Sequence, residues 1–139
     1  MEHKTFVAKM ENLELMINFI LVHARKQGFD EKMLGQIHLV AEEALVNVVN
    51  YGYPGKTGDI EIACGPAEDK QGILIEIVDS GIPFNPLEKP EPDINLPLEE
   101  RGIGGLGIFM IKKIMDKVTY KRENDKNFLS LVKYVGSTK

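Results

Sequence analysis

Apolar residues recur at helical spacing twice in the first third of the chain and alternate in short runs over much of the rest. Thr5–Lys9 reads as a short strand. Asn12 then stands as an N-cap before Leu13–His23, whose apolar positions repeat every three or four residues, and Gly28 stops that helix. Asp30 caps a second helix, expected from Glu31 to about Tyr51 and closed by Gly52, Pro54, Gly55 and Gly58. Two strands follow, Asp59–Cys64 and Ile73–Asp79, joined by a polar turn around Glu68–Gly72. After a long irregular stretch the pattern resumes with a helix, Ile108–Lys117, and two strands, Val118–Glu123 and Phe128–Val135, around a turn at Asn124–Asn127. The order β-α-α-β-β-loop-α-β-β favours hairpins with the helices gathered on one face. The expected fold is an α+β two-layer sandwich whose sheet is mixed but mainly antiparallel.

The irregular stretch changes the picture most. Five of the seven prolines lie between Pro83 and Pro97, where no regular element persists. A loop of more than ~15 residues inside a compact domain is usually functional or disordered. At 139 residues the chain suits one domain with a core that needs no disulfide, and its single cysteine, Cys64, fits a reducing compartment. No apolar run is long enough to cross a bilayer, and the N-terminal segment lacks a signal-peptide core; the expected location is the cytoplasm. A net charge of −4 argues against general nucleic-acid binding. It hides an asymmetry of −10 over residues 1–100 and +6 over residues 101–139. That basic third reads as solvated helix and strand, or as a surface facing phosphates or an acidic partner.

Three segments carry candidate chemistry. On the second helix Ile37, Val40, Ala41, Ala44 and Val48 form the core stripe, and Glu43, Asn47 and Asn50 border it at i, i+4 and i+7, with Glu42 pointing away. An amide in so apolar a stretch needs a partner, either a core hydrogen bond or a ligand. As hard oxygen donors, Glu and Asn suit Mg²⁺ bound with phosphate. Second, Asp79-Ser80-Gly81 ends an apolar strand, as a turn or as a carboxylate that accepts from a ligand amine. Third, Gly102, Gly104 and Gly107 satisfy G-x-G-x-x-G, but they follow a Pro-rich acidic loop rather than a buried strand, which argues against a dinucleotide fingerprint. What remains is a hinge, or unhindered N–H groups at a helix N-terminus, an anion site. His3, His23 and His38 lack metal-ligand spacing, and no serine sits in a nucleophile elbow.

Together the three segments resemble the GHKL ATP-binding fold of histidine kinases, DNA gyrase and heat-shock chaperones. Glu42-Glu43-Ala44-Leu45-Val46-Asn47 with Asn50-Tyr51-Gly52-Tyr53, and Arg101-Gly102-Ile103-Gly104-Gly105-Leu106-Gly107-Ile108, resemble more narrowly the bacterial anti-sigma-factor serine kinases. The resemblance implies a single ATP-binding kinase domain over 1–139 with a lid at about 80–107, using ATP and Mg²⁺. It implies Asn47 as the Mg²⁺ ligand, Asp79 as acceptor for the adenine amino group with Gly81 against the base, and Glu43 as catalytic base. Gly102, Gly104, Gly105 and Gly107 would wrap the phosphates, with Arg101 at the lid's end and Asn50 also facing the nucleotide, where these kinases often carry His. The implied partners are a small anti-sigma antagonist as phosphoacceptor, a sigma factor and a second copy of the chain; nucleic acid and membrane are not expected partners. A nucleotide-dependent module that sequesters a partner without phosphorylating it is the alternative, and an ATPase acting on water a third.

Overall fold

A computed structural model describes residues 1–85 and 105–138, with the side chains of 105–108 left aside. The chain runs β1 (Glu2–Val7), a 3₁₀ turn (Met10–Asn12), α1 (Leu13–Lys26), α2 (Glu31–Asn47), one π-helical turn (Val48–Gly52), β2 (Asp59–Pro66), β3 (Gly72–Asp79), α3 (Gly105–Ile114), β4 (Lys117–Glu123) and β5 (Lys126–Tyr134). The element order is as the periodicity predicts. The strands form one sheet in the order β1-β2-β3-β5-β4. Every pairing among the described residues is antiparallel, so the expected two-layer sandwich is present, and these strands show no parallel contribution of the kind a mixed sheet would have.

Alternation along the strands makes the layers. Ile60, Ile62 and Cys64 of β2, Ile73, Ile75 and Ile77 of β3 and Leu131 of β5 are buried in one core cluster with Met16 and Ile20 of α1, Ile37 and Leu45 of α2, and Ile111 of α3. The intervening strand positions, Glu61, Glu76 and Ser130, stay half-exposed on the opposite face. Each fully buried Ile or Leu contributes about 1.5–3 kcal/mol relative to exposure.

Local signals decide the ends. The Asp30 carboxylate accepts from Met33 N–H at 2.8 Å, the expected cap of α2. After α1, Gly28 adopts φ +94°, a left-handed turn that a side chain would strain. Asn12 does not cap α1: its carboxamide donates instead to Val7 O at 2.9 Å, tying the helix start back to β1. The β4–β5 hairpin turns on Asn124 (φ 53°) and Asp125 (φ 61°), left-handed positions that Asn and Asp tolerate. Lys133 is 0% exposed, and its ammonium donates to Ile114 O at 2.7 Å, so β5 closes the C-terminal end of α3 with a buried cation.

α2 departs from expectation in a way that shapes the site. It ends at Asn47 and gives way to the π turn, whereas an α-helix was expected to run to Tyr51. Bonds from i to i+5 widen the last turn, so the 100° step that aligns Asn50 with Glu43 and Asn47 does not hold beyond Asn47.

Candidate nucleotide site

The π turn sets Gly52 directly against the loop that follows β3. Ile82 N–H donates to Gly52 O at 2.8 Å, and a β-carbon on Gly81 would lie 2.2 Å from the same oxygen. Only a glycine allows that approach. Tyr53 pins the neighbouring segment: its hydroxyl donates to Asp59 O at 2.6 Å and accepts from Ser80 N–H at 2.8 Å. Burial pushes the Tyr53 phenol up from its ordinary value, more than its hydrogen bonds pull it down.

Behind this contact lies a pocket with mainly apolar walls. Ala44, Val48 and Tyr51 from the end of α2 and the π turn line it together with Ile77 of β3, Leu129 of β5, Ile111 of α3, and Ile82 and Phe84 of the loop after β3. Few polar groups enter it. Asn47 is half-buried in its lining, and its carboxamide makes no hydrogen bond with a described residue, so its oxygen stays available to a cation or ligand. Asp79, 7% exposed, lies at the end of β3. Its Oδ1 accepts from Gly81 N–H at 2.9 Å and from Asn127 Nδ2 at 2.9 Å, while Oδ2 accepts from no described residue.

The pocket holds residues that carry no functional signal in the sequence. Asn127 of β5 pairs in register with Asp79 and donates also to Ile82 O at 2.8 Å; Tyr120 of β4 donates its hydroxyl to Asn127 Oδ1. Arg122 donates to Gly81 O at 2.8 Å. From sequence Asn127 reads only as part of a turn, because nothing within its own stretch refers to a strand 48 residues earlier.

The other expected site residues divide three ways. Glu43 sits half-buried one turn before Asn47, outside the pocket wall, and pairs with no described residue; Glu42 points away toward His38, at 3.8 Å. Asn50, carried round by the π turn, is exposed and does not line the pocket. Gly105 and Gly107 lie in the first turn of α3, which begins three residues before its expected start, rather than in a loop. Arg101, Gly102 and Gly104, with most of the expected lid, fall outside the described residues.

The family model for the histidine kinase-like ATPase domain matches residues 6–133. The chain belongs to this family. Among curated members it is similar to serine-protein kinase RsbW of Bacillus mycoides, 30% identical over 116 residues that cover 81% of this chain and 71% of the relative. RsbW of Bacillus cereus matches to the same extent, 30% over 116 residues, with 81% and 71% covered. Among solved structures, the RsbU and RsbW domains of a Mycobacterium tuberculosis protein align with a TM-score of 0.61 at 13% identity, covering 97% of this chain and 33% of that one. The present chain thus spans about a third of that longer one. The histidine kinase domain of a blue-light activated protein from Erythrobacter litoralis aligns at 0.52 and 14% identity, covering 75% of this chain and 45% of that one. These two structural likenesses bear on the fold, a sheet with helices packed on one side. No helix among the described residues is long and apolar enough to cross a membrane.

Proposed function

We propose that the chain is a Mg·ATP-dependent protein serine/threonine kinase of the anti-sigma type, a single domain acting in the cytoplasm on a small antagonist protein. The observation that carries this reading is Asp79, fixed through Oδ1 with Oδ2 left as an acceptor in an apolar pocket. An acceptor between apolar walls suits the amino edge of a flat purine, and the two RsbW relatives support the kinase assignment.

The chain's own residues then divide the work. Asp79 Oδ2 accepts from the 6-amino group, and Val48 and Ile77 pack against the base. The glycine contact of Gly81 with Gly52 lets the two backbone segments beside Asp79 pack closely, leaving the pocket open to the base. Asn47 supplies a hard oxygen for Mg²⁺, which when bound neutralises charge on the phosphate oxygens. Glu43, one helical turn away and without a described partner, orients the hydroxyl of the partner's serine or threonine and takes its proton. Gly102, Gly104, Gly105 and Gly107, with Arg101 at the lid's end, complete the phosphate site. For Asn50 we retain only a contact at the exposed rim, toward phosphate or partner. A sigma factor as second partner and a homodimer complete the partner-switching reading.

The test is titration of ATP against the purified chain with magnesium and with chelator, and labelled ATP with a lysate in parallel. Tight binding that needs magnesium, with label on a small protein, is the expected result. Binding without a labelled product would instead favour a nucleotide-dependent sequestering module. Release of phosphate with no partner present would mark a simple ATPase.

A further inference from the structure

We infer that Asn127, locked by Tyr120, is a positioning residue that makes the pocket selective for a 6-amino over a 6-oxo purine, a role that rests on the reading of the pocket as the base site of ATP. Asn127 Nδ2 faces two groups that can only accept, Asp79 Oδ1 at 2.9 Å and Ile82 O at 2.8 Å. Turned over, the carboxamide would set its oxygen against both. Its orientation is therefore determined by its neighbours, and its two amino hydrogens are both used. The carboxamide oxygen takes the Tyr120 hydroxyl, so that hydrogen is committed as well. Nothing in this chain of bonds has a spare donor for the pocket.

The consequence falls on Asp79. With Oδ1 held by Gly81 N–H and Asn127, the carboxylate cannot rotate without breaking both bonds. Oδ2 is thereby presented as a pure acceptor. A 6-amino group satisfies it; a 6-oxo group meets it oxygen to oxygen. A site built around one fixed polar atom rejects the mismatched ligand because that atom is left unpaired. Among the described residues, the other charged and titratable groups near this corner include Arg122, which donates to Gly81 O, and Tyr53, whose hydroxyl lies between Ser80 and Asp59; Tyr51 lines the same pocket without a hydrogen bond to Asp79. None of the three donates to Asp79.

Asn127→Asp tests the role with almost no change of shape. It replaces the donor by a second carboxylate, and two carboxylates at this distance share one proton. The full chain, its wild type, Asn127→Asp and Tyr120→Phe are titrated with Mg·ATP and Mg·ITP at about pH 8 and about pH 6. Wild type is expected to prefer ATP over ITP by at least about tenfold. Asn127→Asp should bind ATP about tenfold more weakly than wild type at the higher pH. It should regain part of that loss at the lower pH, and its preference for ATP should narrow because a protonated carboxyl can donate to a 6-oxo group. Tyr120→Phe takes away the hydroxyl that anchors the carboxamide oxygen, loosening Asn127 without turning it over, and should narrow the preference without the pH effect. A folded Asn127→Asp that keeps the wild-type ATP-to-ITP ratio, or loses both nucleotides equally at both pH values, overturns the inference. If circular dichroism shows that variant unfolded, Tyr120→Phe decides, and an unchanged ratio there overturns it. Wild type binding neither nucleotide would overturn the ATP reading itself, an outcome distinct from an indifferent variant of a protein that binds ATP.

Discussion

Gly81 packs against Gly52 so closely that an added β-carbon would meet the Gly52 carbonyl oxygen at 2.2 Å and its carbon at 2.7 Å. The contact joins the end of the α2 segment to the loop leaving β3, and both flank Asp79. Neither atom belongs to a flexible side chain, so the backbone itself must move to admit a methyl group.

Gly81→Ala is accordingly expected to destabilise the fold by about 1–3 kcal/mol and to weaken ATP binding beyond that effect. Urea unfolding with and without nucleotide separates the two losses. Wild-type stability in the variant would mean that the loop and the π turn are not held together as described.

Glu43→Gln is expected to leave Mg·ATP affinity near wild type, since Glu43 lies outside the pocket wall. Transfer to the partner should fall by about 10²–10⁴-fold, the usual weight of a lost general base. Single-turnover transfer from labelled ATP reads this directly. Unchanged transfer would remove Glu43 from the chemistry.

Lys133→Met keeps length and apolar bulk but takes the hydrogen bond from Ile114 O at the end of α3. A buried acceptor left without its charged donor costs about 1–3 kcal/mol. The loss should appear as a lower urea midpoint with an unchanged slope. A midpoint equal to wild type would show that the carbonyl finds another donor.

Burial, and secondarily the nearby Glu2 carboxylate, push the Cys64 thiol from 9.0 up to about 12. The folded state holds this proton more tightly than the unfolded chain, so its contribution to stability is complete below about pH 9. It is lost as pH rises toward 12, by up to about 1.4 kcal/mol per pH unit. Cys64→Ala should flatten that part of the alkaline stability curve. In the native protein the thiol should resist iodoacetamide near neutral pH and react on unfolding; ready alkylation of the folded chain would contradict its burial.

The sequence carried most of this fold because its alternation and helical spacing are strong: Ile73, Ile75 and Ile77 declare a buried strand face without help. It also carried Asp79 and Asn47, since a carboxylate ending an apolar strand and an amide in an apolar helix are locally costly and demand a partner. The π turn left no comparable mark. Val48–Gly52 reads as one more helical turn, and only the packing of Gly52 on Gly81 gives it a reason. Nothing local marks Lys133 as the buried member of the basic third, because its acceptor, Ile114 O, belongs to another element. Tyr120, seven residues before Asn127 across the β4–β5 hairpin, acquires meaning only through it. The meaning of Asn127 lies in the β3–β5 register, which no short window of sequence contains.

That register also has a kinetic side. β2–β3 and β4–β5 are local hairpins, but the β3–β5 pairing joins Asp79 to Asn127 and Gly72 to Tyr134, closing long loops of chain. Such closures cost entropy before they return contacts, and they tend to come late in folding. The two hairpins are thus expected to form early and dock late, with the pocket created only at the docking step. Nucleotide bound there would act on the finished state alone: it should slow unfolding and leave the folding rate almost untouched, an asymmetry that stopped-flow traces with and without ATP would expose.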